Sequence, residues 1–252
     1  ASNNTAVGSS ALGANTTGDD NVAVGSGACD ANTTGSHLTA LGYGSLGANT
    51  TASNNTAVGH LALDANTTAS NNTALGATSL SGNTTGTENT ALGAFASASS
   101  TTANNCTSVG YAALNSLTTG SSNTAVGSHS LLQNTTGTQN VAVGANAIDA
   151  NTTGLNNTGV GYATLTSNTT GGQNTALGSL ALDANTTGGN NTACGVSALR
   201  LNTTADNNTA FGYQALFANT TGSNNTAVGL NSGSSNTTGS DNISMGVNSF
   251  RL

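Results

Sequence analysis

What this sequence lacks narrows it before any motif is read. It has no Lys, Pro or Trp, two Arg, one Met and three Cys, and only 4% charged and 3% aromatic residues across 252 positions. With a formal charge of −7 and two cationic side chains, it cannot grip a phosphate backbone, which excludes a nucleic-acid binder. No apolar run approaches the roughly 20 residues that span a bilayer, and nothing reads as a signal peptide, so no membrane insertion is expected. Leu, Ile, Val and Phe are too sparse to fill one large compact core. The same scarcity of charge separates the chain from the charge-rich disordered class.

What is present is Thr, Asn and Gly, at 45, 38 and 34 residues, close to half of the chain. Long helices do not tolerate that mixture. Its order is periodic. The Gly of a recurring Thr-Ala-Val-Gly falls at Gly8, Gly25, Gly42, Gly59, Gly76, Gly93, Gly110, Gly127, Gly144, Gly161, Gly178, Gly195, Gly212, Gly229 and Gly246, a 17-residue step with no insertion or deletion. A fixed period of this kind marks a repeat architecture.

Numbering the repeat from Asn4 puts Gly8 at place five. Place one is Asn except at Leu38 and Cys106, and place two is always β-branched. Place three is Ala, Ser or Gly, and place four is apolar, mostly Val or Leu. Place eight is Ala, Ser or Thr and place nine is usually Leu. Places twelve to fourteen read Asn-Thr-Thr, departing only at Ser100 and Leu117, and place fifteen is Gly or Ala.

Asn-Thr-Ala-Val-Gly alternates and is β-branched, which predicts a short strand. The segment around Ala11 and Leu12 reads as a second short strand, with the invariant Gly between them a corner that excludes Cβ. Asn, Thr and Gly at places twelve to seventeen predict the return turn or a short third side. A 17-residue unit cannot bury its own apolar face and must stack on its neighbours. The expected fold is therefore all-β: a parallel β-solenoid of fifteen 17-residue coils, one repeat array over 1–252. Like residues then stack on like, so Asn and Thr form hydrogen-bonded ladders. The small residues at places three and eight predict a lateral, homotypic interface; the alternative turns them inward and leaves Val and Leu facing the partner. Solenoids normally end in divergent caps, whereas the array starts and stops within a repeat. A segment of, or subunit in, a longer fibre is expected.

The phrase Asn-Thr-Ala-Val-Gly-x-x-Ala-Leu, at Asn4–Leu12 and Asn55–Leu63, resembles the head repeats of YadA-like trimeric autotransporter adhesins. Thr209–Leu216 with Asn219–Gly222 is similar to repeats of phage-type tail-fibre proteins. The resemblance runs along the whole chain, although the Asn-Thr-Thr arm is longer than in the adhesin pattern. It implies a parallel β-roll, often in intertwined homotrimers, working as an extracellular stalk, adhesin or fibre at a cell or virion surface.

Catalytic constellations are missing. His37, His60 and His129 fall at different places, coils apart and without matching carboxylates. Asp30, Asp64, Asp149 and Asp183 share place ten but never in adjacent coils, which disfavours a carboxylate pair or metal cage. Cys29, Cys106 and Cys194 lie too many coils apart for a disulfide, and buried thiols are expected. The sequence predicts no enzyme, no metal and no cofactor.

Surface roles remain. Tyr43, Tyr111, Tyr162 and Tyr213 all occupy place six, as anchors for a glycan or matrix ligand or as tolerated bulk. Asn-x-Thr/Ser sequons occur at Asn15, Asn32, Asn49, Asn66, Asn83, Asn134, Asn151, Asn168, Asn185, Asn202, Asn219 and Asn236, again before place one at Asn3, Asn54, Asn71, Asn105, Asn156, Asn190, Asn207 and Asn224, and at Asn242. They read either as N-glycan acceptors or as a structural ladder that spells a sequon. Thr ranks raise ice binding as a further alternative, but adjacent Thr such as Thr16 and Thr17 point to opposite sides of a strand. The expected function is a non-enzymatic structural solenoid that partners itself as a homotrimer or end-to-end filament, with an adhesive module and an ice binder as alternatives.

Overall fold

The computed structural model describes residues 1–250. All regular structure among them is β, with no helix. The chain divides into two compact units, Ala1–Asn123 and Thr124–Leu252. The first carries seven three-residue strands, from β1 (Thr5–Val7) to β7 (Thr107–Val109), and the second eight, from β8 (Thr124–Val126) to β15 (Ile243–Met245). In each unit every strand pairs in parallel with its neighbours in sequence at a 17-residue offset, as in Ala23↔Ala40 and Ala176↔Ala193. Each unit is thus a parallel β-solenoid with one repeat per coil, the fold that the period predicts.

Strands occupy places two to four of each coil. The expected second strand is absent. Places five to twelve instead form consecutive turns closed three residues on, as in Ala11 N to Gly8 O (3.4 Å), Gly13 N to Ser10 O (3.1 Å) and Asn15 N to Leu12 O (3.1 Å). Places seven and nine both take positive φ, for example Ser10 at 60° and Leu12 at 50°, and so does place seventeen. Positive φ at the third residue of the first two turns is the type II pattern. The apolar Ala-Leu pair mimicked a strand, but its two adjacent side chains both turn inward, as Ala62 and Leu63 do.

The invariant Gly is the expected corner, by positive φ and by close backbone approach together. Gly59 has φ +137°, and a Cβ added there would lie 2.5 Å from the carbonyl oxygen of Gly76 in the next coil. Between corners, coil-to-coil bonds continue through the turns: Leu46 N donates to Ala62 O at 3.0 Å and Thr50 N to Thr67 O at 3.0 Å.

The core is narrow. Place three (Ala23, Ala40, Ala57), place eight (Ala28, Ala62, Ala96) and place nine (Leu46, Leu63, Leu80) are fully buried or within 1% of it. This overturns the lateral interface assigned to the small residues of places three and eight. A three-residue strand has one inward side chain, and so thin a cross-section admits only Ala, Ser or Gly there. Coil ten demonstrates the limit. Ile148 and Thr164 fill the space, and a Cβ at Gly159 would lie 2.8 Å from Ile148 Cγ1 and 2.7 Å from Thr164 Oγ1. Place four points out instead.

Candidate functional site

Inside the coils, polar side chains are spent on the fold. Asn49 Nδ2 donates to Asn32 Oδ1 (2.9 Å) and to Ala52 O (3.1 Å), and Asn66 repeats both bonds one coil on. In the second unit Asn168 and Asn185 do the same. These place-twelve residues, from Asn32, Asn49, Asn66 and Asn83 to Asn134, Asn151, Asn168, Asn185, Asn202 and Asn219, have no exposure; Asn236 is 8% exposed and Asn15 half-buried. A buried amide has no room for a glycan, so at the eleven buried place-twelve positions the acceptor reading gives way to the ladder. The sequon asparagines at place seventeen, such as Asn54, Asn71, Asn156 and Asn190, are exposed.

Place-one Asn forms a second ladder. Asn72 N donates to Asn55 Oδ1 (2.9 Å), while Asn72 Nδ2 reaches Gly86 O (2.9 Å). The two adjacent Thr have different fates. At place thirteen the hydroxyl donates to the next coil, as Thr33 Oγ1 to Thr50 O at 3.0 Å. At place fourteen Thr34, Thr51 and Thr68 are exposed. The place-thirteen rank is half-buried with its hydroxyls donated to the next coil, and the place-fourteen rank is the exposed one, which weakens the Asn-Thr-Thr arm as an ice-binding face.

The outer strand face carries a row of apolar side chains. Val24, Leu41, Leu75 and Leu92 in the first unit, and Val143, Val160, Leu177 and Val228 in the second, are each 36–44% exposed. Beside this row stand Tyr43, Tyr111, Tyr162 and Tyr213, all exposed. Tyr43 stacks on His60 (centroids 5.5 Å, planes 14° apart) and Tyr111 meets Phe95 edge-on at 5.9 Å. The four Tyr are not gathered into one patch.

The titratable groups fall mostly as single surface pairs. His37 Nε2 lies 3.7 Å from Asp20 Oδ2, an exposed carboxylate neighbour that the spacing did not predict, and Arg200 Nε lies 3.5 Å from Asp183 Oδ2. Among the described residues no group of three or more His, Cys, Asp or Glu could hold a metal ion, and no helix is long and apolar enough to cross a membrane. Cys29 and Cys106 are buried, and burial, helped by Asp30, pushes the Cys29 thiol up to about 12. Cys194, at outward place four, is only half-buried.

One cluster departs from the sequence expectation. Asp30 and Asp64, two coils apart, lean toward each other over Gly47. A Cβ added at Gly47 would lie 2.8 Å from Asp64 Oδ1 and 3.7 Å from Asp30 Oδ1. Burial and then the facing Asp30 push the Asp64 carboxyl up, with His60 opposing. The space is a cleft of about 530 Å³ lined by Asp30, Tyr43, Gly44, Gly47, Leu61 and Asp64, among others. It opens because consecutive coils bear Gly27 and Gly44 at place seven, where every other coil has a side chain. Sequence spacing counted coils between the carboxylates and missed that the intervening residue is glycine. Comparison with family models, curated proteins and solved structures finds no match for the chain.

Proposed function

We propose that this chain is a non-enzymatic structural β-solenoid of an extracellular fibre, filament or adhesin stalk, associating with copies of itself as a homotrimer or end-to-end filament at a cell or virion surface. The observation that carries this reading is the outward apolar row at place four. Each coil adds one apolar side chain to it, Val or Leu except at Cys194, Phe211 and Met245, so the row lengthens with every repeat in both units while most inner Asn and Thr are committed to the neighbouring coils. A monomer gains nothing from repeated exposed apolar side chains, and a contiguous apolar surface marks an interaction site. The adhesin and tail-fibre resemblance of the repeat phrase supports the same reading. Electron cryo-microscopy of the native material tests it. Filaments or bundles with an axial repeat of about 4.8 Å are the expected result, and isolated single-chain particles at high concentration reject it.

A further inference from the structure

The cleft over Gly47 has a composition that selects its occupant. Carboxylates only accept hydrogen bonds when ionised, so Asp30 and Asp64 on opposite walls call for a ligand with donors on two sides. Between them the surface is apolar or bare backbone: Gly44 and Gly47 in the floor, Leu61 and the Tyr43 ring at the sides. Tyr43 is 60% exposed, with His60 stacked on it. The ligand must therefore combine a C–H face with a rim of hydroxyl or amine donors. An anion is excluded by the two carboxylates. A metal ion is disfavoured because it needs more oxygen ligands than two side chains bring, and no third acidic or imidazole group completes a cage among the described residues. A volume of about 530 Å³ exceeds what a single ammonium group fills and lies within the range of small-molecule sites.

We propose that the Asp30–Gly47–Asp64 cleft is a binding site for a neutral sugar ring, its vicinal hydroxyls donating to the two carboxylates and its C–H face lying against Tyr43 and Leu61. The site lies beside the place-four row and uses none of its side chains. It occurs once per chain, because Gly27 and Gly44 are the one pair of consecutive place-seven glycines.

The test titrates the full chain with methyl glycosides of glucose, galactose, mannose and N-acetylglucosamine, read by calorimetry and by saturation-transfer NMR. At least one glycoside is expected to bind with a Kd of about 1 mM. Gly47→Asn puts a side chain into the cleft at a place where other coils carry Asp or Asn, and it is expected to weaken binding at least about tenfold. Asp30→Ala with Asp64→Ala removes the acceptors without filling the cleft and gives the same loss by a second route if the first variant fails to fold. Asp241→Asn, on the exposed surface of the other unit, leaves binding unchanged. The proposal is overturned if no glycoside binds the unaltered chain, if both cleft variants bind as it does, or if an alkylammonium probe binds there and the glycosides do not. Filaments without sugar binding reject this site alone, and sugar binding without filaments rejects the fibre reading alone.

Discussion

Gly59 sits at φ +137° with the carbonyl oxygen of Gly76 2.5 Å from where its Cβ would stand. Gly59→Ala is therefore expected to cost about 1–3 kcal/mol from backbone conformation alone, and more from the collision, read as a fall in the urea midpoint at unchanged slope. Gly189→Ser is the contrast: place sixteen is Ser in several other coils, and the change is expected to stay within about 0.5 kcal/mol. The corner glycines were legible because nothing else ever stands there. The left-handed Leu residues of place nine were not. Leu63 at φ 52° and even β-branched Ile148 at 53° adopt a conformation that costs about 1–2 kcal/mol, and burial of the side chain offsets that cost. Propensity read along the chain sees the cost and not the compensation. Asp149 shows the same blindness for charge. Its Oδ1 is buried without a hydrogen-bond partner, and burial pushes its carboxyl above the ordinary 3.8, with His129 opposing. A raised acid pKa means the folded chain binds the proton more tightly, so stability rises as pH falls through the raised value toward 3.8 and is lost above it. Asp149→Asn is expected to raise the Tm near pH 7 and to flatten its rise as the pH falls toward 3.8, followed by calorimetry.

Among the elements, the place-twelve ladder is the informative one, because it has a gap. It climbs from Asn15 through Asn83, and then Ser100 and Leu117 take the next two places. Asn83 Oδ1 and Ser100 Oγ are left buried without partners. In an intact coil the Nδ2 of place twelve meets both the Oδ1 one coil back and the place-fifteen carbonyl. Ser100→Asn offers those bonds to Asn83 Oδ1 and Ala103 O, with an expected gain of about 1–2 kcal/mol. Asn66→Ala, inside the intact stretch, orphans Asn49 Oδ1 and is expected to lose about 1–3 kcal/mol. Chemical denaturation of the two variants decides the matter; a neutral Ser100→Asn shows that the ladder contributes specificity and little stability. That Asn stacks on Asn could be read from the repeat. Which carbonyl shares the donor could not, because it belongs to a turn whose path depends on the unanticipated left-handed residues.

For the whole chain, the 17-residue period predicted the solenoid in each unit but left open which apolar row lies inside. Ala at place three and Val at place four are both apolar, and the choice depends on the width of the coil, which no single repeat encodes. The exposed row carries the expected self-association. Leu75→Lys with Leu92→Lys changes only exposed side chains, so the fold is expected to hold while sedimentation shifts from assemblies toward single chains; assemblies of unchanged size would remove the row from the interface. The repeated bonds have a further consequence. Asn49 gives to Asn32 what Asn66 gives to Asn49, so adjacent coils within a unit are joined by nearly interchangeable sockets. Excising or duplicating a whole 17-residue block returns like to like at the seam, whereas gaining or losing one residue misaligns every later place. Such a gene can change its copy number freely and its reading of place hardly at all, which makes length the cheapest property for it to vary.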